Sequence, residues 1–205
     1  GSYILDFLAK TPVREIHLFD ADHFAQHNAF RAPGAATLEE LTAGPQKVDY
    51  MKARYEPMRR GIIAHDCFLG EDNLGELDAM DFVFLALDDS EPKRAIVAHL
   101  ETVGVSFIDV GMGVDEVDGS LRGMVQTTVS TTDAREHFAR RVSLEDPRLG
   151  NDYDQNIQIA ELNALNAALA VIRWKRLLGF YADDGGEHTS IFVIETNQLI
   201  GEDHR

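Results

Sequence analysis

Asp20, Asp22, Asn28 and Arg31 crowd into the stretch 15–31, EIHLFDADHFAQHNAFR, and their types suit nucleotide chemistry. Asp20 ends a short apolar run, 16–19. An acid at the carboxyl tip of a strand lies where parallel sheets bind nucleotides, and its carboxylate can hold two ribose hydroxyls. Asn28 offers a donor and an acceptor. Arg31 offers a rigid cationic fork matched to phosphate. The competing account makes Asp20 a turn cap and Arg31 a solvated surface charge.

A second acidic group, Asp88-Asp89-Ser90, closes the run 81–87, DFVFLAL. Carboxylates at a strand tip can hold Mg²⁺ through hard oxygen ligands. The other use for these residues is a helix N-cap, and Asp89 or Ser90 ahead of Pro92 suits that role. Both uses are compatible, with Asp88 for metal and Asp89 or Ser90 for the cap. Lys47 opens a helical pattern, where its charge opposes the helix dipole; this points to an anionic partner, or else to an exposed lysine.

No nucleophile stands out. His65 and Cys67 lie two apart in a strand-like pattern and so share a face, but a free cysteine is usually a small buried hydrophobe. His23 and His27 are four apart in a loop-like segment with no third ligand, so zinc is not expected.

The elements that must position these groups follow from hydrophobic spacing. Tyr3, Ile4, Phe7 and Leu8 predict a helix over 2–10, which Thr11-Pro12 ends. A strand over 15–19 follows. Thr37-x-x-Glu40 has the form of a capping box and starts a short helix that Gly44-Pro45 stops. Val48, Met51, Tyr55 and Met58 predict a helix over 46–59. Strands are expected at 61–65, 81–87 and 105–110, with a short helix at 73–77 and a longer one at 91–102. The run 81–87 is unbroken and apolar, as a central parallel strand should be. Strands 114–117 and 121–128 form a hairpin about Asp118-Gly119. Residues 130–150 read as a surface excursion or crossover loop. The longest helical pattern is 156–178, with Ile159, Leu162, Leu165, Asn166, Leu169, Ile172 and Leu177 outlining its apolar face. Asn163 and Asn166 are unusual there: buried amides need partners, or they line a pocket. Residues 190–195 form a final strand and 201–205 are expected to fray.

Composition bounds the function. The 205 residues are enough for one sizeable domain, 1–205, and the sequence is 44% hydrophobic. The formal net charge of -16, with 35 acidic residues against 19 basic, argues against a nucleic-acid or anionic-membrane surface. It leaves room for a nucleotide in a local cationic pocket. Cys67 is the single cysteine, so no internal disulfide or thiolate cluster can form, which points to a reducing, cytoplasmic setting. No apolar run approaches the length of a membrane span.

The residues Asp20-Ala21-Asp22 and Asn28-Ala29-Phe30-Arg31, then Gly44-Pro45-Gln46-Lys47-Val48, then Leu87-Asp88-Asp89, resemble in that order the ThiF/MoeB/ubiquitin-activating enzyme (E1-like) superfamily. The resemblance covers roughly residues 1–129, and the alanine-rich helix beyond it is similar to bacterial ThiF-like proteins. It implies an α/β, Rossmann-like fold: a mainly parallel sheet flanked by helices, with an added antiparallel hairpin. It also implies an ATP-dependent adenylyltransferase acting on the C-terminal carboxylate of a ubiquitin-like or small sulfur-carrier-like protein that ends in glycine. Asp20, with Asp22, would bind ribose. Asn28, Arg31 and Lys47 would hold the triphosphate. Asp88 would hold Mg²⁺. Arg31, Lys47 and Asp88 are thus the expected catalytic set. Relatives commonly dimerise, so a homodimer is expected.

The sequence departs from that pattern in places. The family's phosphate loop, Gly-x-Gly-Gly-x-Gly, should end just before Ser2, and only Gly1-Ser2 stands here. These two residues read either as a scar of tag removal or as the end of a truncated loop, in which case nucleotide binding by this chain is expected to be weak and the chain inactive. Ala32 stands where the family often has Gln. The zinc-binding Cys-x-x-Cys pairs of many relatives are absent, as is a cysteine at the usual transfer position. Two other readings share Asp20 or the fold: an NAD-binding Rossmann oxidoreductase, and a non-enzymatic dimeric module.

Overall fold

The computed structural model describes residues 1–144 and 157–204, in two compact units. The end of the expected excursion and the start of the expected long helix, at 145–156, lie outside the described residues.

One unit spans Ser2–Leu69. Helix α1, Ser2–Ala9, buries Ile4, Leu5, Leu8 and Ala9, the face its spacing predicts. Thr11 Oγ1 donates to Leu8 O at its end. Strand β1, Ile16–Phe19, pairs in parallel with β2, Ile62–His65, in the register Ile16↔Ile62 to Phe19↔His65. The Arg59 guanidinium donates to the carbonyls of Leu8, Thr11, Val13 and Arg14, closing the connection from α1 to β1. Gly61 enters β2 at φ 79°, and a Cβ there would lie 2.3 Å from Arg14 O, so only glycine fits.

Between those strands come α2, Gln26–Ala29, α3, Leu38–Ala43, and α4, Lys47–Tyr55. The α3 capping box forms as expected: Thr37 Oγ1 accepts from Glu40 N–H, and the Glu40 carboxylate accepts from Thr37 N–H. Helix α4 stops short of the expected residue 59: Pro57 has no N–H to continue the ladder, and the N–H groups of Met58 and Arg59 both turn to Tyr55 O.

The other unit comprises Gly70–Arg205 together with Gly1. A 3₁₀ turn, Leu74–Leu77, precedes β3, Val83–Leu85. Helix α5, Ser90–Val103, ends at Gly104 in the left-handed conformation, φ 80°. It leads to β4, Phe107–Val117, which lies parallel to β3. The strand β5, Ser120–Ser130, then runs antiparallel to β4. Asp118 and Gly119, at φ 53° and 76°, make the two-residue turn that matches the twist of its flanking strands. Helix α6, Phe138–Arg141, follows, then α7, Ala160–Leu177, β6, Glu187–Val193, and β7, Gln198–His204. The strand order is β3-β4-β5-β6-β7.

The class is therefore α/β and Rossmann-like, with parallel pairings joined by helices and an added antiparallel hairpin. Several details differ from the sequence expectations. The apolar run 81–87 yields only a three-residue strand, and it stands at the end of its unit's strand order rather than in the middle. Expected strands 105–110 and 114–117 are one strand, because β4 stays paired with β5 from Phe107↔Ser130 to Val117↔Ser120. Part of the expected excursion is packed: Phe138 is buried and meets Phe107 edge to face at 5.0 Å. The C-terminal stretch expected to fray is β7, held to β6 from Val193↔Gln198 to Glu187↔His204.

Helix α7 packs on β4 and β5 and buries Leu162, Asn166, Ala167, Ala170, Val171, Arg173 and Trp174, while Ile172 is 45% exposed. The buried face is thus rotated toward the alanines, which let the helix approach the strands closely. No helix among the described residues is long and apolar enough to cross a membrane.

Candidate functional site

In the first unit the chain leaves β1 at Asp20, whose N–H still donates to His65 O, extending the parallel ladder by one residue. The segment after it folds back along the entry to α4. Lys47 N–H donates to Asp22 O at 2.8 Å, and Phe24 N–H donates to Pro45 O at 2.8 Å. His23 and Gln46 form an isolated antiparallel bridge between these contacts. Phe24, 1% exposed, stacks on Tyr50 of α4 at 3.8 Å and anchors the arrangement. Lys47, the first residue of α4, is thereby carried to the tip of β1.

The Lys47 ammonium sits 2.5 Å from Asp20 Oδ2 and 3.5 Å from Asp22 Oδ2. Asp20 Oδ1 accepts the Asp22 N–H at 2.9 Å. A carboxylate has about four acceptor positions, so Asp20 keeps capacity for two hydroxyl donors after these contacts. Lys47 has three N–H donors, and Asp20 and Asp22 occupy two. Asn28 is buried, and its Oδ1 accepts the Ala25 N–H at 2.9 Å, capping α2. Its Nδ2 donors remain for an anionic ligand. The Arg31 guanidinium is half-buried and has no side-chain partner among the described residues. This unit thus gathers a ribose-type acceptor and a phosphate-type donor, Asp20 and Lys47, at one strand tip.

Cys67 is half-buried, and His65 Nε2 lies 3.0 Å from His17 Nδ1, with Phe19 stacked on the His65 ring at 4.1 Å. Among the described residues no group of three or more His, Cys, Asp and Glu could hold a metal ion. Ser2 heads α1 in this unit.

In the second unit, Asp88 follows β3 and is exposed, while Asp89 caps α5 by accepting the Glu91 N–H at 3.2 Å. The two adjacent acids are therefore separated in use: one is spent on the helix and the other is open. A single exposed carboxylate fits Mg²⁺, which is usually held by one or two carboxylates plus phosphate oxygens and water. Gly1 lies beside this segment, with an added Cβ 3.8 Å from Ala86 Cβ.

The sequence reading missed one pair here. Lys93 Nζ lies 2.8 Å from Asp109 Oδ1, and the side chains are only 10% and 5% exposed. Burial pushes the Asp109 carboxyl up, Lys93 pulls it down, and the charge of Asp88 pushes it up. Two signals could have revealed the pair. Asp109 interrupts the apolar strand FIDV, and Lys93 stands at helical spacing from Ile96, Val97 and Leu100, on the buried face of α5.

No family model matches the chain, and no curated protein matches it in sequence. Solved structures match it in shape. The structure of PaaA shares 16% identity at a TM-score of 0.72, covering 99% of this chain and 69% of that one. MccB from E. coli with ATP shares 14% identity at a TM-score of 0.72, covering 99% of this chain and 60% of MccB. The E. coli tRNA N6-threonylcarbamoyladenosine dehydratase TcdA shares 18% identity at a TM-score of 0.62, covering 88% of this chain and 82% of TcdA. The chain therefore shares its fold with PaaA, MccB and TcdA. At such identities the likeness is one of fold, and this chain spans about 60% of the length of MccB.

Proposed function

We propose that this chain binds ATP as an E1-like adenylyltransferase and activates the C-terminal carboxylate of a small ubiquitin-like or sulfur-carrier-like protein. The observation that carries the reading is the Lys47–Asp20 contact of 2.5 Å at the tip of β1. An acid alone there would serve NAD equally well. A lysine beside it, brought in by the fold-back of the segment after β1, adds a cation that can meet phosphate charge near the ribose. The solved structures of MccB with ATP, and with N-formylated MccA, support the same direction.

In this reading Asp20 accepts from the ribose hydroxyls, with Asp22 beside it. Lys47 exchanges its Asp22 contact for phosphate oxygens. Arg31 and the Asn28 Nδ2 donors also take phosphate, and Gly1-Ser2 belong to the phosphate loop. Asp88 holds Mg²⁺, which when bound offsets phosphate charge. The substrate carboxylate oxygen bonds to the α-phosphorus, the bond to pyrophosphate breaks, and an acyl-adenylate forms. Positioned cations matter most as charge shifts onto the leaving pyrophosphate. A homodimer is part of the proposal, and light scattering at micromolar concentration would reveal it as twice the chain mass.

Calorimetric titration tests the nucleotide. ATP with Mg²⁺ should bind, Asp20→Ala should weaken it, and NAD should bind less well. Tighter binding of NAD than of ATP would overturn the reading in favour of a dinucleotide enzyme.

A further inference from the structure

Two buried histidines meet in the second unit where α6, β6 and β7 come together. His137, just ahead of α6, and His188 on β6 are each 5% exposed, and their ring centroids stand 4.9 Å apart. Each ring turns one nitrogen to a main-chain carbonyl. His137 Nε2 lies 2.7 Å from Val129 O of β5, and His188 Nδ1 lies 2.5 Å from Asp203 O of β7. A carbonyl only accepts, so these nitrogens carry the protons, and in the neutral rings the other two carry none. Neither ring has another hydrogen bond among the described residues. The β6–β7 register runs from Glu187↔His204 to Thr189↔Glu202, which sets His188 opposite Asp203. Asp203 stands there at φ 55°, an uncommon conformation for a residue with a side chain. Its carboxylate is held as well, accepting from Arg141 Nε at 2.7 Å and from Thr189 Oγ1 at 3.2 Å.

We infer that the His137–His188 pair is an acid-sensitive latch: protonation of its imidazoles in mildly acidic solution frees β7 and leaves β6 as the edge of the sheet. Both rings cannot be charged in the latched state, because two buried cations at this separation repel and each has lost its water. Burial pushes the His137 imidazole below its ordinary value of 6.5. The Val129 carbonyl and the Asp203 carboxylate pull the other way, while His188 and Arg140 act with burial. The remaining charges around the pair are engaged elsewhere: Arg141 with Asp203 and Glu202 of β7, and Glu187 with Arg176 of α7. Against burial, Arg141 holds the Asp203 carboxyl below its ordinary 3.8, so this ion pair outlasts the histidines as pH falls. Once β7 leaves, water reaches both rings, and the one that stayed neutral takes up a proton. The latch is therefore complete above the ordinary value of 6.5 and weakens below it. Uptake of one proton raises the opening constant about tenfold per pH unit, until the latched ring itself protonates.

Hydrogen exchange of the β7 amides, corrected for the intrinsic effect of pH on exchange, reads the latch directly. From about pH 7.5 to about pH 5.5 the opening constant of β7 should rise roughly tenfold, while that of α5 should change by less than about twofold. Glutamine places an N–H donor where Nε2 stands, and asparagine one where Nδ1 stands. The double substitution His137→Gln with His188→Asn thus keeps both carbonyl contacts and removes both titrations. In that variant the rise should shrink to less than about twofold. A wild-type β7 whose opening constant changes by less than about twofold would overturn the latch, as would a roughly tenfold rise in the folded double variant. If the variant does not fold, proton NMR of the wild-type imidazoles supplies the test. One ring of the pair should still be neutral at about pH 5.5. Titration of both rings at or above 6.5 would overturn the inference.

Discussion

Replacing Asn166 with Ala should destabilise the second unit by about 2–4 kcal/mol. Asn166 is 5% exposed and is used from both ends of its amide. Its Oδ1 accepts from Thr127 Oγ1 at 2.8 Å, and its Nδ2 donates to Gly111 O at 2.8 Å. The substitution orphans a hydroxyl that is 1% exposed, which costs about 1–3 kcal/mol. The loss at Gly111 stands near the low end of that range, because a carbonyl has a second lone pair to use. Equilibrium urea unfolding measures the change, with Trp174 as the reporter. It is the single tryptophan, 8% exposed and on the same helix as Asn166. Thr127→Val and the double variant complete a cycle whose coupling should be about 0.5–3 kcal/mol. A folded Asn166→Ala protein within about 0.5 kcal/mol of the wild type would refute the idea that this amide ties α7 to the strands.

Gly61→Ala should destabilise the first unit by more than the ~1–2 kcal/mol of a left-handed alanine, since its Cβ also meets Arg14 O at 2.3 Å; chemical denaturation would show it. Acid should unfold the second unit. Burial alone would raise Asp183 and Glu187, but Arg173 and Arg176 prevail and hold both carboxyls below their ordinary values of 3.8 and 4.5. Asp203 is held down likewise, against the pull of burial, mainly by Arg141. Their stabilisation is complete above those ordinary values and is lost as pH falls through the depressed ones, so Trp174 fluorescence should report unfolding below about pH 4. Lys47→Ala should weaken ATP binding roughly tenfold, the scale of one charge-assisted contact, with little change in melting temperature because the Lys47–Asp20 pair is partly exposed.

Much of the fold was legible because its signals are local. The period of α1, the Thr37–Glu40 capping box and the Asp118-Gly119 turn each act within a few residues, and each forms as read. What escaped the sequence depends on partners distant along the chain. Hydrophobicity alone made 81–87 a full central strand, yet strand length is set by what pairs beside it, and β3 has one neighbour in its sheet. The C-terminal stretch looked polar and short, but β6 supplies the ladder that orders it. Asp20 and Lys47 were each singled out for nucleotide chemistry, but their contact rests on the pairing of 22–24 with 45–47, which no periodicity announces. The Lys93–Asp109 pair was missed because neither residue belongs to a motif, and only their joint burial gives them meaning.

The most direct test of the proposed chemistry is isotope exchange between pyrophosphate and ATP, catalysed by the full-length protein with a small protein partner ending in glycine. Exchange should depend on ATP, Mg²⁺ and the partner's free C-terminal carboxylate, and should fall strongly in Asp88→Asn. Binding of ATP should fall less, because the cation matters most where charge develops in the transition state. Exchange in Asp88→Asn equal to the wild type would remove Asp88 from the mechanism. Absence of exchange in a wild-type protein that binds both ATP and its partner would contradict the adenylyltransferase account.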